Sequence, residues 1–259
     1  MHMIPSTERF SDRVDYYVRA RPKYPAALLR FFQSQLHLSP AHVVADIGSG
    51  TGFLTELFVR NGNQTYAVEP NGPMRQAAEQ YLGEWPNFHS ITATAESTTL
   101  DNASIDFVTA GQAFHWFDPA AAAREFARIL RPRGVVALVW NERVSEGSGF
   151  MAAYDQTIEK FRLPDESARA RLKADNGEQE IRKFFGSHTY QTATFDNPQL
   201  LDREGLIDRI VSSSNMPLPN QDRHAELLQN LHALFDTHQQ NQSIAILHET
   251  RVYYGVLHG

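Results

Sequence analysis

Between His42 and Glu142, five short runs rich in β-branched residues alternate with stretches of helical periodicity. The runs are HVVADIG (42–48), TYAVEP (65–70), FHSITATAE (88–96), IDFVTAG (105–111) and GVVALVWNE (134–142). Strands joined by helix-length crossovers pair in parallel, and a parallel sheet needs helices over both faces. The helical pieces carry their own signals. Leu54, Leu57 and Phe58 share one face after the first run. Further on, Asp118 and Pro119 supply a cap and a first helical residue, and Phe126, Ile129 and Leu130 form the stripe to be buried. Pro132 and Gly134 stop that helix. The expectation is a doubly wound α/β sheet.

The flanks differ from this core. SDRVDYYVRARPKYPAALLRFF (11–32) reads as one or two short helices broken by Pro22 and Pro25. Residues 150–185 are polar and helical, punctuated by Pro164 and Gly177. TYQTATF (189–195) returns to β alternation, 200–213 and about 221–240 read as helices, and ILHETRVYYGVL (246–257) reads as a closing strand. Two more strands bring the sheet to seven, mostly parallel. No Pro/Gly/Ser linker interrupts the chain, so the expectation is one domain: a helical segment over 1–40, a core over 41–142, and helices with closing strands over 143–259.

Composition narrows the partners. The 259 residues carry a net charge of -6 and show no Lys/Arg cluster, which argues against nucleic acid. Without cysteine there is no disulfide, thiolate nucleophile or cysteine metal site. His224, His232 and His238 are spaced too widely for one ligand set, so no metal is expected. MHMIPSTERF lacks the apolar core of a signal peptide, and no run reaches the ~18 apolar residues of a membrane span, so a cytoplasmic protein is expected.

The first run ends in VVADIGSGTGFLT (43–55), with glycines at 48, 50 and 52. Open α/β sheets bind ligands at the carboxyl ends of their strands, and glycine there lets backbone approach a ligand that a Cβ would block. A dinucleotide turn, G-x-G-x-x-G, is one reading, but Phe53 stands where its third glycine belongs. Asp46 at the mouth of the turn would also repel a pyrophosphate, whereas it suits a cationic ligand.

The D-x-G-x-G-x-G spacing resembles motif I of the class I S-adenosylmethionine-dependent methyltransferases, whose sheet is Rossmann-like. Glu69 in AVEPNGPM, Ala95-Glu96, Gly111-Gln112 and ILRPRG follow at the places where that family has its further landmarks. RFSDRVDYYVRARPKYP, QAFHWFD, LVWNERV and LLDREGLIDRIVSSS resemble the methyltransferase type 11 branch that includes trans-aconitate methyltransferase-like proteins. The resemblance implies S-adenosyl-L-methionine as cofactor, held by Asp46, Gly48, Ser49, Gly50, Thr51, Gly52, Glu69, Pro70, Met74, Ala95, Glu96, Gly111 and Gln112. Within that set Glu69 would take the ribose hydroxyls, and Ala95-Glu96 would frame the adenine. It also implies that the N-terminal segment closes as a lid, with Tyr17, Arg21, Tyr24, His115, Trp116, Asn141 and Arg143 toward a small-molecule substrate.

Two chemistries stay open. A carboxylate acceptor is ionised at neutral pH and needs positioning rather than a base. Arg19, Arg21 and Arg143 are its candidate partners, because a guanidinium matches a carboxylate as a bidentate fork. A hydroxyl or amine acceptor would need a base, for which His115 is the candidate. A nicotinamide-dependent oxidoreductase and an inactive cofactor-binding partner are the readings from other classes.

Overall fold

The computed structural model describes residues 14–144, 149–163, 177–186, 190–213 and 215–257. Its seven-stranded sheet runs β3-β2-β1-β4-β5-β9-β6. The strands are β1 (Val43–Ile47), β2 (Gln64–Val68), β3 (Phe88–Ile91), β4 (Ile105–Gly111), β5 (Leu130–Arg143), β6 (Tyr190–Asp196) and β9 (His248–Val256). The first five pair in parallel, and β9 runs antiparallel to both β5 and β6. The expected doubly wound, Rossmann-like sheet is therefore present.

Alternation along the strands supplies both faces. Val44, Phe107, Ala137 and Val139 pack with Leu28 and Phe32 of α2 (Ala26–Gln35) and with Phe58 of α3 (Thr55–Arg60). Ala45, Ile47, Val108 and Leu138 face the other way, toward Phe126 and Ile129 of α5 (Pro119–Ile129) and Phe184 of α7 (Gly177–Phe185). Asp118 caps α5 as expected, its Oδ1 accepting from the Ala121 amide at 2.8 Å. The helix stops at Ile129 because Leu130 turns extended, so the buried Leu130 side chain belongs to β5.

The N-terminal segment forms α1 (Val14–Ala20) and α2, separated by the Pro22–Pro25 stretch. Beyond β5 come α6 (Gly149–Phe161), α8 (Arg203–Val211) and α9 (His224–His238). They bury Tyr154, Phe161, Leu206, Ile210, Leu231 and Phe235 in a separate apolar cluster beside the sheet. One expectation needed revision here. The helix expected over 200–213 starts only at Arg203, because Asp202 caps it by accepting from the Gly205 amide at 2.8 Å. The residues before it form β7 (Gln199–Leu201), which pairs with β8 (Ile244–Ile246) in a small second sheet. Pro164 lies outside the described residues.

Phe126 is fully buried against Phe117 and Phe184, ring centroids 6.3 and 5.7 Å away. Phe126→Ala should lower unfolding stability by about 3–5 kcal/mol, measured by chemical denaturation.

Candidate functional site

The turn after β1 has all three glycines at positive φ, but each meets a different need. A Cβ on Gly48 would lie 2.5 Å from Ala113 Cβ, so this glycine lets the β4 loop close on the turn. A Cβ on Gly52 would lie 2.8 Å from Leu82 of α4 (Gly72–Leu82), so Gly52 serves helix packing and, unlike its neighbours, does not line the cavity. At Gly50 a Cβ would meet nothing within 4 Å, and the space in front of it is cavity.

Two buried carboxyls hold this turn. Asp46 accepts from Thr55 Oγ1 of α3 at 2.6 Å and from Thr109 Oγ1 of β4 at 3.0 Å. Burial pushes its carboxyl up to about 7, against the pull of those two hydroxyls and with help from Glu69. Glu69, at the end of β2, accepts from the Gly50 amide at 2.9 Å and the Asn71 amide at 2.8 Å. Burial raises it too, while these amides and Arg75 act the other way. Between the acids, Ser49 Oγ and Thr51 Oγ1 are buried without a hydrogen-bond partner among the described residues. Buried polar atoms are rarely left so, which marks the turn as a surface that awaits a polar ligand.

The other strand ends complete the wall. Ala95 is buried, and Glu96 accepts from the Asp118 amide at 2.9 Å, tying the loop after β3 to the start of α5. Gly111 has no room for a Cβ because the Tyr24 hydroxyl occupies that space. Gln112, at φ 55°, donates to the Asn141 carbonyl at 2.9 Å. His115 is buried in a short 3-10 turn (Phe114–Trp116), its ring 4.9 Å from that of Trp116.

These groups surround one cavity of about 860 Å³. Asp46, Gly48, Ser49, Gly50, Thr51, Glu69, Pro70, Met74, Ala95, Glu96, Gly111 and Gln112 line it, and so do Arg21, Tyr24, His115, Trp116, Asn141 and Arg143. Arg19 does not. It is an exposed residue bound to Asp208 at 2.6 Å and packed over Tyr16, because α1 turns it toward α8 rather than into the cavity. The Tyr17 side chain lies outside the described residues. Asn141 lines the cavity, yet its carboxamide donates to the Pro22 carbonyl at 3.2 Å and accepts from Thr250 Oγ1 at 2.6 Å. It therefore fastens the N-terminal strap to the sheet.

At the β5–β9 end the wall turns cationic. Arg143 pairs with Asp155 and lies over the Tyr154 ring at 5.0 Å. Two residues absent from the sequence expectations join it: Arg209 of α8 and His248 of β9, both buried. The signal for Arg209 was present, since Leu206, Arg209 and Ile210 share one helical face and two of them are core.

A sulfonium ligand with an amino-acid tail fits the acidic end, where an open glycine, two orphaned hydroxyls and two carboxyls face the cavity. Residues 45–138 match the methyltransferase domain family. This core is similar to a methyltransferase domain. An uncharacterized methyltransferase of Mycobacterium tuberculosis is 40% identical over 134 residues, 52% of each chain, and one of Schizosaccharomyces pombe is 28% identical over 154 residues, 59% of this chain and 60% of that one. The chain thus spans about half the length of the curated relatives it matches. A solved structure from Anaeromyxobacter dehalogenans, provisionally named a type II methyltransferase, aligns with TM-score 0.70 at 22% identity, over 92% of this chain and 98% of that one. The YcgJ protein of Bacillus subtilis aligns at 0.55 and 21% identity, over 91% and 100%. These two likenesses speak for the fold. Together with the domain match, the relatives show a core over residues 45–138 that is similar to methyltransferase domains.

Gly50→Val should abolish S-adenosylhomocysteine binding, because its side chain would project into the open cradle at a strained φ. Glu69→Ala should weaken binding by ~1–3 kcal/mol, having lost charged hydrogen bonds and its hold on the turn. Titration calorimetry measures both, and unchanged affinities would reject the site.

Proposed function

We propose that this protein transfers a methyl group from S-adenosylmethionine to a small molecule, on a carboxylate oxygen. The observation that carries the reading is one cavity that joins an acidic glycine turn to a guanidinium-lined end. When bound, the cofactor supplies a methyl carbon already activated by positive sulfur. Residues 48–51 would hold its amino-acid part, Glu69 its ribose, and Ala95 with Glu96 its adenine. Phe53, where a dinucleotide turn needs glycine, is instead a buried ring beside Tyr81 at 6.1 Å, which speaks against a nicotinamide cofactor.

The acceptor assignment draws on the cation-rich end and on the likeness to trans-aconitate methyltransferase-like proteins. A carboxylate is ionised across the neutral range, so the residues need only orient it and exclude water. Orientation alone supplies on the order of 7–11 kcal/mol in well-aligned reactions. The strap over residues 20–24 contributes to exclusion. Its backbone carbonyls accept from Gln199 at 2.7 Å, Asn141 at 3.2 Å and Asn197 at 2.8 Å. His115, buried in the same wall, is the base that a hydroxyl or amine acceptor would require.

A screen of carboxylic acids, phenols and amines for S-adenosylhomocysteine formation tests the reading. With a carboxylate acceptor, His115→Gln should keep most activity and a flat rate from pH 6 to 8. A wild-type rate that falls toward pH 6, joined to a roughly 100-fold loss in His115→Gln, would establish the hydroxyl chemistry instead.

Asp46 adds a pH signature to cofactor binding. Its carboxyl titrates near 7, so it gains charge as pH rises through that value and attracts a sulfonium more strongly. S-adenosylmethionine affinity should therefore rise roughly 3- to 10-fold between pH 6 and 7.5, and the rise should vanish in Asp46→Asn. The fold responds in the opposite sense. A carboxyl raised above its ordinary 3.8 holds its proton more tightly when folded, so stability declines as pH climbs toward 7. Asp46→Asn should thus unfold at higher temperature than wild type at pH 8. Calorimetry and thermal melts read the two halves separately.

A further inference from the structure

The strap beside the cavity faces two ways. Arg21, Pro22 and Tyr24 line the cavity, whereas Lys23, in the middle of them, does not. The Lys23 carbonyl accepts from Asn197 at 2.8 Å, just past the end of β6. Its side chain reaches elsewhere, to the two helices that pack around the glycine turn. There the ammonium donates to Glu56 Oε2 of α3 at 3.1 Å and to the Tyr81 hydroxyl of α4 at 2.5 Å. It also lies over the rings of Tyr81 and Phe53, 4.9 and 5.6 Å from their centroids. Phe53 follows the last glycine of the turn and is part of the cavity wall. One residue therefore ties the β6 side of the strap to the acidic end.

The site that receives Lys23 is assembled from other groups. Glu56 is buried, and its second oxygen accepts from Arg60 Nε at 2.8 Å. Burial acts to raise this carboxyl, but hydrogen bonds from Tyr81, Lys23 and Arg60, with the charge of Lys23, hold it below its ordinary value. Arg60 and Tyr81 remain to orient it when the ammonium leaves. The lysine side chain, by contrast, is 56% exposed, so undocking returns the ammonium to water at little cost. Pairs this exposed shift an equilibrium by roughly fivefold, and salt screens them. Lys23, Glu56 and Tyr81 all lie outside the cavity lining. The contact is a weak, reversible fastening made of groups that a ligand in the cavity does not touch.

Resting on the methyltransferase reading, we propose that Lys23 is a positioning residue that sets how fast ligand exchanges at the acidic end. Docked on Glu56 and Tyr81, its ammonium pins the strap against the cavity and slows entry and exit alike. Because the fastening lies outside the cavity, it favours neither the free nor the occupied protein. Loss of the contact therefore raises both rate constants and leaves affinity nearly unchanged. A residue that held the ligand would change affinity, and one that merely supported the fold would change stability.

Stopped-flow exchange of S-adenosylhomocysteine tests this, since a probe without a sulfonium leaves out the attraction to the carboxyls. In Lys23→Met the association and dissociation rate constants should both rise about threefold or more, with Kd within about twofold of wild type. Lys23→Arg should restore both. Raising salt from about 50 to 500 mM should speed exchange more in wild type than in Lys23→Met. Unchanged rates, an equal response to salt, or faster release at an unchanged association rate would overturn the proposal. So would a lowered melting temperature joined to weaker binding, which would make Lys23 a support of the fold. Ligand-free protein gives an independent reading. Trypsin takes a lysine side chain into its own pocket, so cleavage between Lys23 and Tyr24 requires the ammonium to leave Glu56 and Tyr81. Tyr81→Phe keeps the ring and removes the hydroxyl, and should speed that cleavage about twofold or more. Equal cleavage in Tyr81→Phe and wild type would also overturn the proposal. If S-adenosylhomocysteine fails to bind wild type, the methyltransferase reading falls, while cleavage after Lys23 still reports on the contact.

Discussion

The site depends on one buried carboxyl. Asp46 lies next to the end of β1, and its two oxygens collect hydroxyls from the first turn of α3 and from β4. Those bonds fix where the glycine turn starts and how α3 leaves it. Glu69 completes the arrangement from β2 by taking the Gly50 amide, so two acids span three strand ends and one helix. Removing them from water is costly, and the carboxyl of Asp46 rises to about 7 in consequence. A cation in the cavity offsets that cost. The fold thus keeps a group that is poorly stabilised on its own at the place where a positive ligand would sit.

The same logic operates with opposite sign at the other end. Among the described residues Arg209 is buried with no carboxylate in an ion pair with it, as Asp46 is buried with no cation in one. Ser49, Thr51, Arg143 and His248 contribute further unmatched polar atoms between and around them. Native interiors rarely tolerate such atoms, and here they line a single cavity. A cavity with an acidic and a basic end orients a ligand pair before any close contact forms. On the proposed reading, it would hold the sulfonium by the carboxyls and draw an anionic acceptor toward the guanidiniums.

Much of this was legible in the chain because it is locally encoded. The parallel core follows from β-branched runs at regular spacing, and the Asp118–Pro119 start of α5 from cap chemistry that involves only neighbours in sequence. The glycine turn was readable because backbone at positive φ restricts residue choice. What failed to show was set by tertiary contacts. Gly52 has the spacing of a ligand glycine, but only the position of Leu82 on α4 reveals that it serves packing. Arg19 and Arg21 are two residues apart and therefore lie on different sides of the chain; one meets Asp208 on the surface and the other enters the cavity. Nothing in the sequence around His248 announces that β9 places it opposite Arg143.

Asn141 shows how the two ends are coupled. It sits near the tip of β5, receives the hydroxyl of Thr250 from β9, and holds Pro22 of the strap through its own amide. Its backbone carbonyl meanwhile accepts from Gln112, whose left-handed conformation follows directly on Gly111 and the Tyr24 hydroxyl packed there. The strap, the β4 loop and the β5–β9 pair therefore meet at one residue. A ligand that shifts the β4 loop must pull on the same bonds that carry Arg21 and Arg143. Opening the strap therefore means breaking its hydrogen bonds to Asn141, Asn197 and Gln199. Cofactor at the acidic end and acceptor at the basic end would each favour the position that closes both.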